Sequence, residues 1–179
     1  MIAASQDYLL QPDATRLLTP CLLVYPQYIR ENIAEMIRIA GSADRLRPHV
    51  KTHKTAAITK MELEAGIAKH KCATLAEARM LAECGAPDVL LAYPLVGPAA
   101  ERLAEFVVEF PNTRFSTLVD NARGLQDLEQ ALGHCGQQID VCLDIDTGMH
   151  RTGIPVGSQA IRLYRQICDS PTLRPVGLH

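Results

Sequence analysis

No run of about 18 consecutive apolar residues occurs in the chain, so nothing in the sequence reads as a membrane-spanning helix. The N-terminus, MIAASQDYLLQPDATRLL, lacks a basic segment followed by a continuous apolar stretch, and no secretory signal is read there. An excess of one charge is also lacking: 18 Lys and Arg stand against 20 Asp and Glu, a formal net charge of −2. That balance argues against a nucleic-acid partner. CxxC pairs are missing too. Cys21, Cys72, Cys84, Cys135, Cys142 and Cys168 are scattered, as expected in a reduced compartment, with most of them serving as small buried hydrophobes. A cytoplasmic location with no membrane contact follows. No linker, low-complexity segment or internal repeat interrupts the chain. What is present is a globular balance, 47% hydrophobic and 21% charged over 179 residues, enough for one domain with a sizeable core.

The hydrophobic pattern alternates between two periods. CLLVY (21–25) reads as a short strand closed by Pro26, and residues 1–25 as an N-terminal extension ending in that strand. From 26 onward, Ile29, Ile33, Met36, Ile37 and Ala40 share one helical face that Gly41 ends. Strand-like LRPHVK (46–51), HKCAT (70–74), DVLLAY (88–93), RFSTLVD (114–120), IDVCLDID (139–146) and RPVGL (174–178) then alternate with helical segments. Strands alternating with helices predict parallel βαβ units. Six such units at roughly 25-residue spacing fall two short of a closed eight-stranded barrel. The expected fold is thus α/β, an incomplete (β/α)8 barrel over 26–179.

In a parallel barrel one side of each strand meets the helices and the other faces the interior. Arg47, His49 and Lys51 oppose the apolar set of their strand. Asp140, Cys142, Asp144 and Asp146 do so in theirs, and His179 shares a face with Gly177. Lys51, Asp144 and His179 fall at or near the C-terminal strand ends, where barrel active sites sit. Inward charge is expensive to bury in a purely structural barrel, which favours a site. A lysine there can be a nucleophile when neighbouring positive charge raises its free-amine fraction, and Lys54, Arg47, His49 and His53 could supply that charge. Alternation alone leaves open a solvated loop for Lys51, His53 and Lys54.

Three stretches then carry a resemblance. LRPHVKTHKT (46–55), TLAEARMLAECGAPDVLLAYPLVG (74–97) and LDIDTGMHRTGI (143–154) together resemble the D-threonine aldolase and D-serine dehydratase family. These are pyridoxal-phosphate enzymes with an alanine-racemase-like N-terminal barrel (fold type III). The resemblance runs from about Thr19 to His179. It implies that Lys51 forms the internal aldimine with pyridoxal 5'-phosphate, Lys54 being the weaker candidate because parity sends it to the other face. It implies that Arg151 sits near the cofactor's phenolic oxygen, where a cation holds the phenolate. His49, His53, Tyr93, Asp144 and His179 are expected to line or support the cofactor pocket. Thr74 and Glu77 have capping-box spacing and, with Arg79, read as an ordinary helix start. His70 and His134 are read as surface histidines.

The resemblance also implies a lyase acting on D-3-hydroxyamino acids, a small-molecule substrate, and a homodimer at full length. Relatives of this kind continue for about as many residues again. The remainder is expected to supply the last two strands, the phosphate-binding loops and a β-rich domain with the His and Cys ligands of a divalent metal (Mn, Mg or Zn). No metal ligand is assigned within these 179 residues, and the isolated chain is expected to be inactive. An amino-acid racemase of the same fold, a non-catalytic cofactor-binding barrel and an inactive fragment remain alternatives.

Overall fold

Alternation of buried helix and strand faces sets the architecture of the computed structural model, which describes residues 16–179. The helices are α1 (Pro26–Ala40), α2 (Ala56–Glu64), α3 (Leu75–Glu83), α4 (Pro98–Glu109), α5 (Ala122–Cys135) and α6 (Ser158–Asp169). The strands are β1 (Lys69–Cys72), β2 (Asp88–Pro94), β3 (Arg114–Val119), β4 (Ile139–Leu143), β5 (Ile145–Asp146), β6 (Ile154–Pro155) and β7 (Leu173–Leu178). Five of them form one parallel sheet in the order β1-β2-β3-β4-β7, while β5 and β6 pair separately above it.

One face of this sheet is sealed by helices. Cys72, Val89, Leu91, Phe115, Val141 and Leu143 pack there against Leu81, Leu103, Phe106, Leu128, Leu163 and Ile167, all buried. Four of these six helices begin where a residue satisfies free backbone donors or needs none. Pro26 and Pro98 open α1 and α4, Thr74 Oγ1 accepts from Glu77 N, and Asn121 Oδ1 accepts from Gly124 N at 2.8 Å. Gly124 has a second reason to be glycine: a Cβ there would lie 2.8 Å from the Leu95 carbonyl oxygen.

Two expected strands are corrected. Cys21–Tyr25 precedes α1 as irregular, largely exposed chain, since no neighbouring strand among the described residues takes up its backbone groups; the first fifteen residues of the expected N-terminal extension lie outside the described residues. Leu46–Lys51 keeps only one parallel bridge, His49 to Lys71, with Lys71 N donating to Pro48 O at 2.9 Å. Pro48 has no N–H for a ladder, and Val50–Thr52 winds into a 3-10 turn capped by the His49 ring, whose Nδ1 accepts from Lys51 N at 3.3 Å. Five full strands and this edge bridge therefore stand where six strands are expected.

A bulge in β7 matters for the site. Val141 aligns with Pro175 but Cys142 aligns with Gly177, so Val176 is extra. The slip turns Arg174 at one end and His179 at the other to the same open face despite their opposite parity.

Candidate active site

The open face carries ionisable side chains in two tiers. At the strand N-termini, Arg47 donates to both Asp88 carboxylate oxygens (2.6 and 3.1 Å) and to the His70 carbonyl. On the adjoining strands Arg114 and Arg174 both ion-pair with Asp140, which is 1% exposed. Every acid in this lower tier has an arginine.

The upper tier differs. Lys51 lies on the 3-10 turn, exposed, and its amine has no hydrogen-bond or ion-pair partner among the described residues. Lys54, three residues on, adopts a left-handed φ of 49° and commits its amine to Glu77. Glu77 also accepts from Ala73 N at 2.8 Å. Burial works to raise the Glu77 pKa, but the bonds from Lys54 and Ala73 outweigh it and hold the carboxyl below its usual range. Glu77 thus does more than start α3, while Arg79 is structural, paired with Glu109 and lying over the Phe106 ring.

The segment Asp146–Ile154 presents Arg151. Asp146 Oδ1 accepts from Gly148 N (2.9 Å) and His150 N (3.0 Å), and its other oxygen meets His150 Nδ1 at 2.8 Å. These bonds, the His150 amide first, hold the Asp146 carboxyl down to about 2. Gly153, at φ +95°, donates to Asp120 and presses on the β5 backbone, where a Cβ would sit 2.6 Å from Asp146 N. Arg151 itself is exposed and, among the described residues, unpaired.

Asp144 and His179 meet directly: His179 Nδ1 lies 2.7 Å from Asp144 Oδ1. The backbone supports both, through Asp144 N to Val119 O and His179 N to Leu143 O. Asp144 is 4% exposed and its Oδ2 is buried without a hydrogen-bond partner. His179 Nε2 then meets Lys71 Nζ at 2.7 Å, across the open face from β7 to β1. Burial first, then the charges of Lys51, Arg47 and Arg151, pushes the Lys71 pKa down, against Asp144. Burial and the charges of Lys51 and Lys71 do the same to His49.

His49, Lys51, Asp144, Arg151 and His179 are therefore gathered at one rim. Tyr93, 56% exposed, stands at the end of β2 without a hydrogen bond to them. His53 turns toward α2: its Nδ1 accepts from Thr55 N, its Nε2 is buried without a partner among the described residues, and burial, joined by His70 and opposed by Glu62, pushes its pKa down. His70 is corrected from surface to core. It is fully buried on the helix side of β1, with Nε2 3.3 Å from Glu62 Oε2, because it shares parity with Cys72. His134 is exposed as expected. The cysteines are all free, but only Cys72 is fully buried, its thiol pushed up by burial to about 12. One participant, Lys71, is absent from the sequence reading and could have been found by extending strand parity to the four-residue β1. Asp146, expected only as one of an inward-facing set, holds the Arg151 turn through an Asx-type spacing to Gly148.

Residues 24–179 match the family model for the alanine racemase N-terminal domain. The chain belongs to that family. It is 31% identical over 164 residues to a D-threonine aldolase of Arthrobacter sp, covering 91% of this chain and 43% of that protein. It is 30% identical over 151 residues to the D-serine dehydratase of Dictyostelium discoideum, 79% of this chain and 38% of that one. Among solved structures it superposes on D-threonine aldolase from Filomicrobium marinum with a TM-score of 0.83 at 31% identity, over 92% of this chain and 44% of the other. The chain spans less than half the length of these relatives, and what it shares with them is part of a parallel α/β barrel. Among the described residues no helix is long and apolar enough to cross a membrane. Nor does any group of three His, Cys, Asp or Glu among them suit a metal ion.

Proposed function

We propose that this chain is the N-terminal barrel portion of a pyridoxal-phosphate-dependent lyase acting on D-3-hydroxyamino acids, with Lys51 as the residue that bonds the cofactor. One observation carries the reading: of the two lysines in the THK turn, Lys54 is committed to Glu77 while the Lys51 amine at the rim has no partner among the described residues. The similarity to enzymes named D-threonine aldolase and D-serine dehydratase supports the reaction class.

The donor set fits the group. When bound, pyridoxal 5'-phosphate supplies an aldehyde that condenses with an amine and a ring that draws electrons from Cα. Lys51 offers the primary amine, and Arg151 a guanidinium, unpaired among the described residues, for the phenolic oxygen. The His49 ring fixes the turn from beneath by accepting from Lys51 N, which leaves the lysine side chain directed by its backbone rather than by a salt bridge. Asp144 anchors His179 at the far wall. Tyr93 and His53 are proposed as pocket and supporting residues, His53 acting from behind the turn. A homodimer and a metal-assisted dehydratase step belong to the full-length enzyme in this reading. Enzymes named aldolase and dehydratase both occur among the relatives, which supports a D-3-hydroxyamino acid as the substrate class.

The test is chemical. The chain is incubated with pyridoxal 5'-phosphate, reduced with borohydride, digested and mapped, with label expected on Lys51. Label confined to Lys54, or no label at all, overturns the assignment. Assay of the full-length protein with D-threonine (acetaldehyde release) and D-serine (pyruvate release) tests the reaction class.

A further inference from the structure

We propose that Lys71 is an oxyanion-binding residue of this site, its ammonium aimed by the Asp144–His179 pair at the carboxylate or phosphate of a ligand held at the rim. The hydrogen-bond pattern sets the protonation. Ionised Asp144 only accepts, so His179 carries its proton on Nδ1. Nε2 of that ring must then accept, and the donor at 2.7 Å is the Lys71 ammonium. An ammonium has three N–H donors and this contact uses one, which leaves two for a ligand on the open face.

The charge balance points the same way. Arg47 is taken by Asp88, Lys54 by Glu77 and His150 by Asp146. What remains around Lys71 is the cations Lys51 and Arg151 against the single carboxylate of Asp144, itself one imidazole away. Two exposed cations and the half-buried Lys71 around one acid form a positive pocket; burial first, and then this crowding of like charge, lowers the Lys71 pKa. The lower tier shows the alternative: where this sheet needs charge only for structure, it supplies an acid beside each arginine. A half-buried lysine whose one contact is a neutral imidazole keeps its full positive charge uncompensated, unlike the arginines of the lower tier.

The inference rests on the cofactor reading for the identity of the anion, which would be the cofactor's phosphate or the substrate's carboxylate. It does not depend on that reading for the existence of the site. Thermal unfolding of the full chain is followed at constant ionic strength while chloride is replaced by inorganic phosphate and, separately, by acetate. A ligand that binds only the folded state raises the midpoint. The expected result is a rise with at least one oxyanion that Lys71→Met weakens by about tenfold or more in apparent Kd, the loss of one charge-assisted bond. Lys71→Arg retains most of the rise, and Lys69→Met leaves it unchanged. A rise with phosphate alone assigns the phosphate, and one with acetate assigns the carboxylate. Should Lys71→Met fail to fold, the His179 ring resonances of the unmodified protein, assigned with His179→Gln, are expected to shift on titration with the same anion. The proposal is overturned if no oxyanion raises the midpoint, if Lys71→Met responds like the parent, or if the ring signals stay fixed. Borohydride label on Lys51 together with such a result would sink this inference and leave the cofactor reading intact. Lys71-dependent anion binding without label on Lys51 would do the reverse.

Discussion

The two ends of the open sheet face use the same residue types to opposite effect. At the N-terminal end, Arg47–Asp88 and Arg114–Asp140–Arg174 close on one another. At the C-terminal end, Lys51 and Arg151 have no partners among the described residues, and Lys71 reaches only an imidazole. Charge satisfied on adjacent strands holds strands together, whereas charge left unsatisfied beside a buried carboxylate is available to a ligand. The difference follows from geometry. At the base, Arg174 stands opposite Asp140 in register, Arg114 reaches the same acid from two residues before the Ser116 that faces it, and Arg47 reaches Asp88 from the edge segment. At the rim, Lys51 and Arg151 sit on turns whose positions are set by His49 and Asp146, beyond the reach of cross-strand pairing.

Substitutions that act on one end and spare the other would sharpen this contrast. The largest effect is expected from Lys51→Met: complete loss of borohydride-trapped cofactor, with stability changed by less than about 0.5 kcal/mol because the side chain is exposed and, among the described residues, unpaired. Peptide mapping and a denaturant titration read the two halves of that statement. Asp140→Ala should show the mirror image. Breaking a buried pair can cost 3–5 kcal/mol when a charge is stranded, but Arg114 and Arg174 are more than half exposed and water takes them up, so a loss of about 2 kcal/mol is expected. Trapping at Lys51 should persist in Asp140→Ala; its loss would mean that the two tiers are not separable. Arg151→Ala is milder. It opens no core cavity, so stability should hold within about 0.5 kcal/mol while the visible absorption of the cofactor-loaded chain shifts or fades. An unchanged spectrum would make Arg151 a surface residue.

Much of this contrast is legible in the sequence, and the exceptions have physical causes. The helices and the central strands announce themselves through their periods, and the inward parity of Arg47, His49, Asp140 and Asp144 places them correctly on the open face. Leu46–Lys51 misleads because its alternation is that of a strand, yet Pro48 and the capping His49 ring convert most of it into an edge bridge and a turn. CLLVY is apolar without a partner to pair with, and composition does not report partners. The β7 bulge at Val176 cannot be read from RPVGL, and without it Arg174 and His179 would face opposite ways. Lys71 and His70 lie in a strand of four residues, where a charged, histidine-bearing KHKC shows no obvious apolar face. Its sides follow from parity with Cys72 once these four residues are taken as a strand, which pairing with β2 makes them.

The smallest expected effect tests whether the rim turn that presents Arg151 is held as the base is held, by a satisfied acid. Asp146 bonds the Gly148 and His150 amides, and these bonds bring its carboxyl to about 2 from an ordinary 3.8. A carboxyl with a lowered folded-state pKa binds fewer protons folded than unfolded between those two values, so stability rises with pH across that window. The contribution is therefore fully present above about pH 4 and is lost as pH falls through about 2. Being local and at an exposed turn, it should appear as loop opening before global unfolding. Amide exchange at Gly148 and His150 is expected to be slow, relative to unprotected peptide at the same pH, above pH 4 and to approach the unprotected rate toward pH 2. Asp146→Asn, which keeps one acceptor oxygen but no charge, should weaken the protection and remove its pH dependence in that window. If protection at these two amides stays constant from pH 4 to pH 2 in the parent chain, the Asp146 carboxylate does not hold the turn, and the placement of Arg151 must come from Gly153 and Asp120 alone.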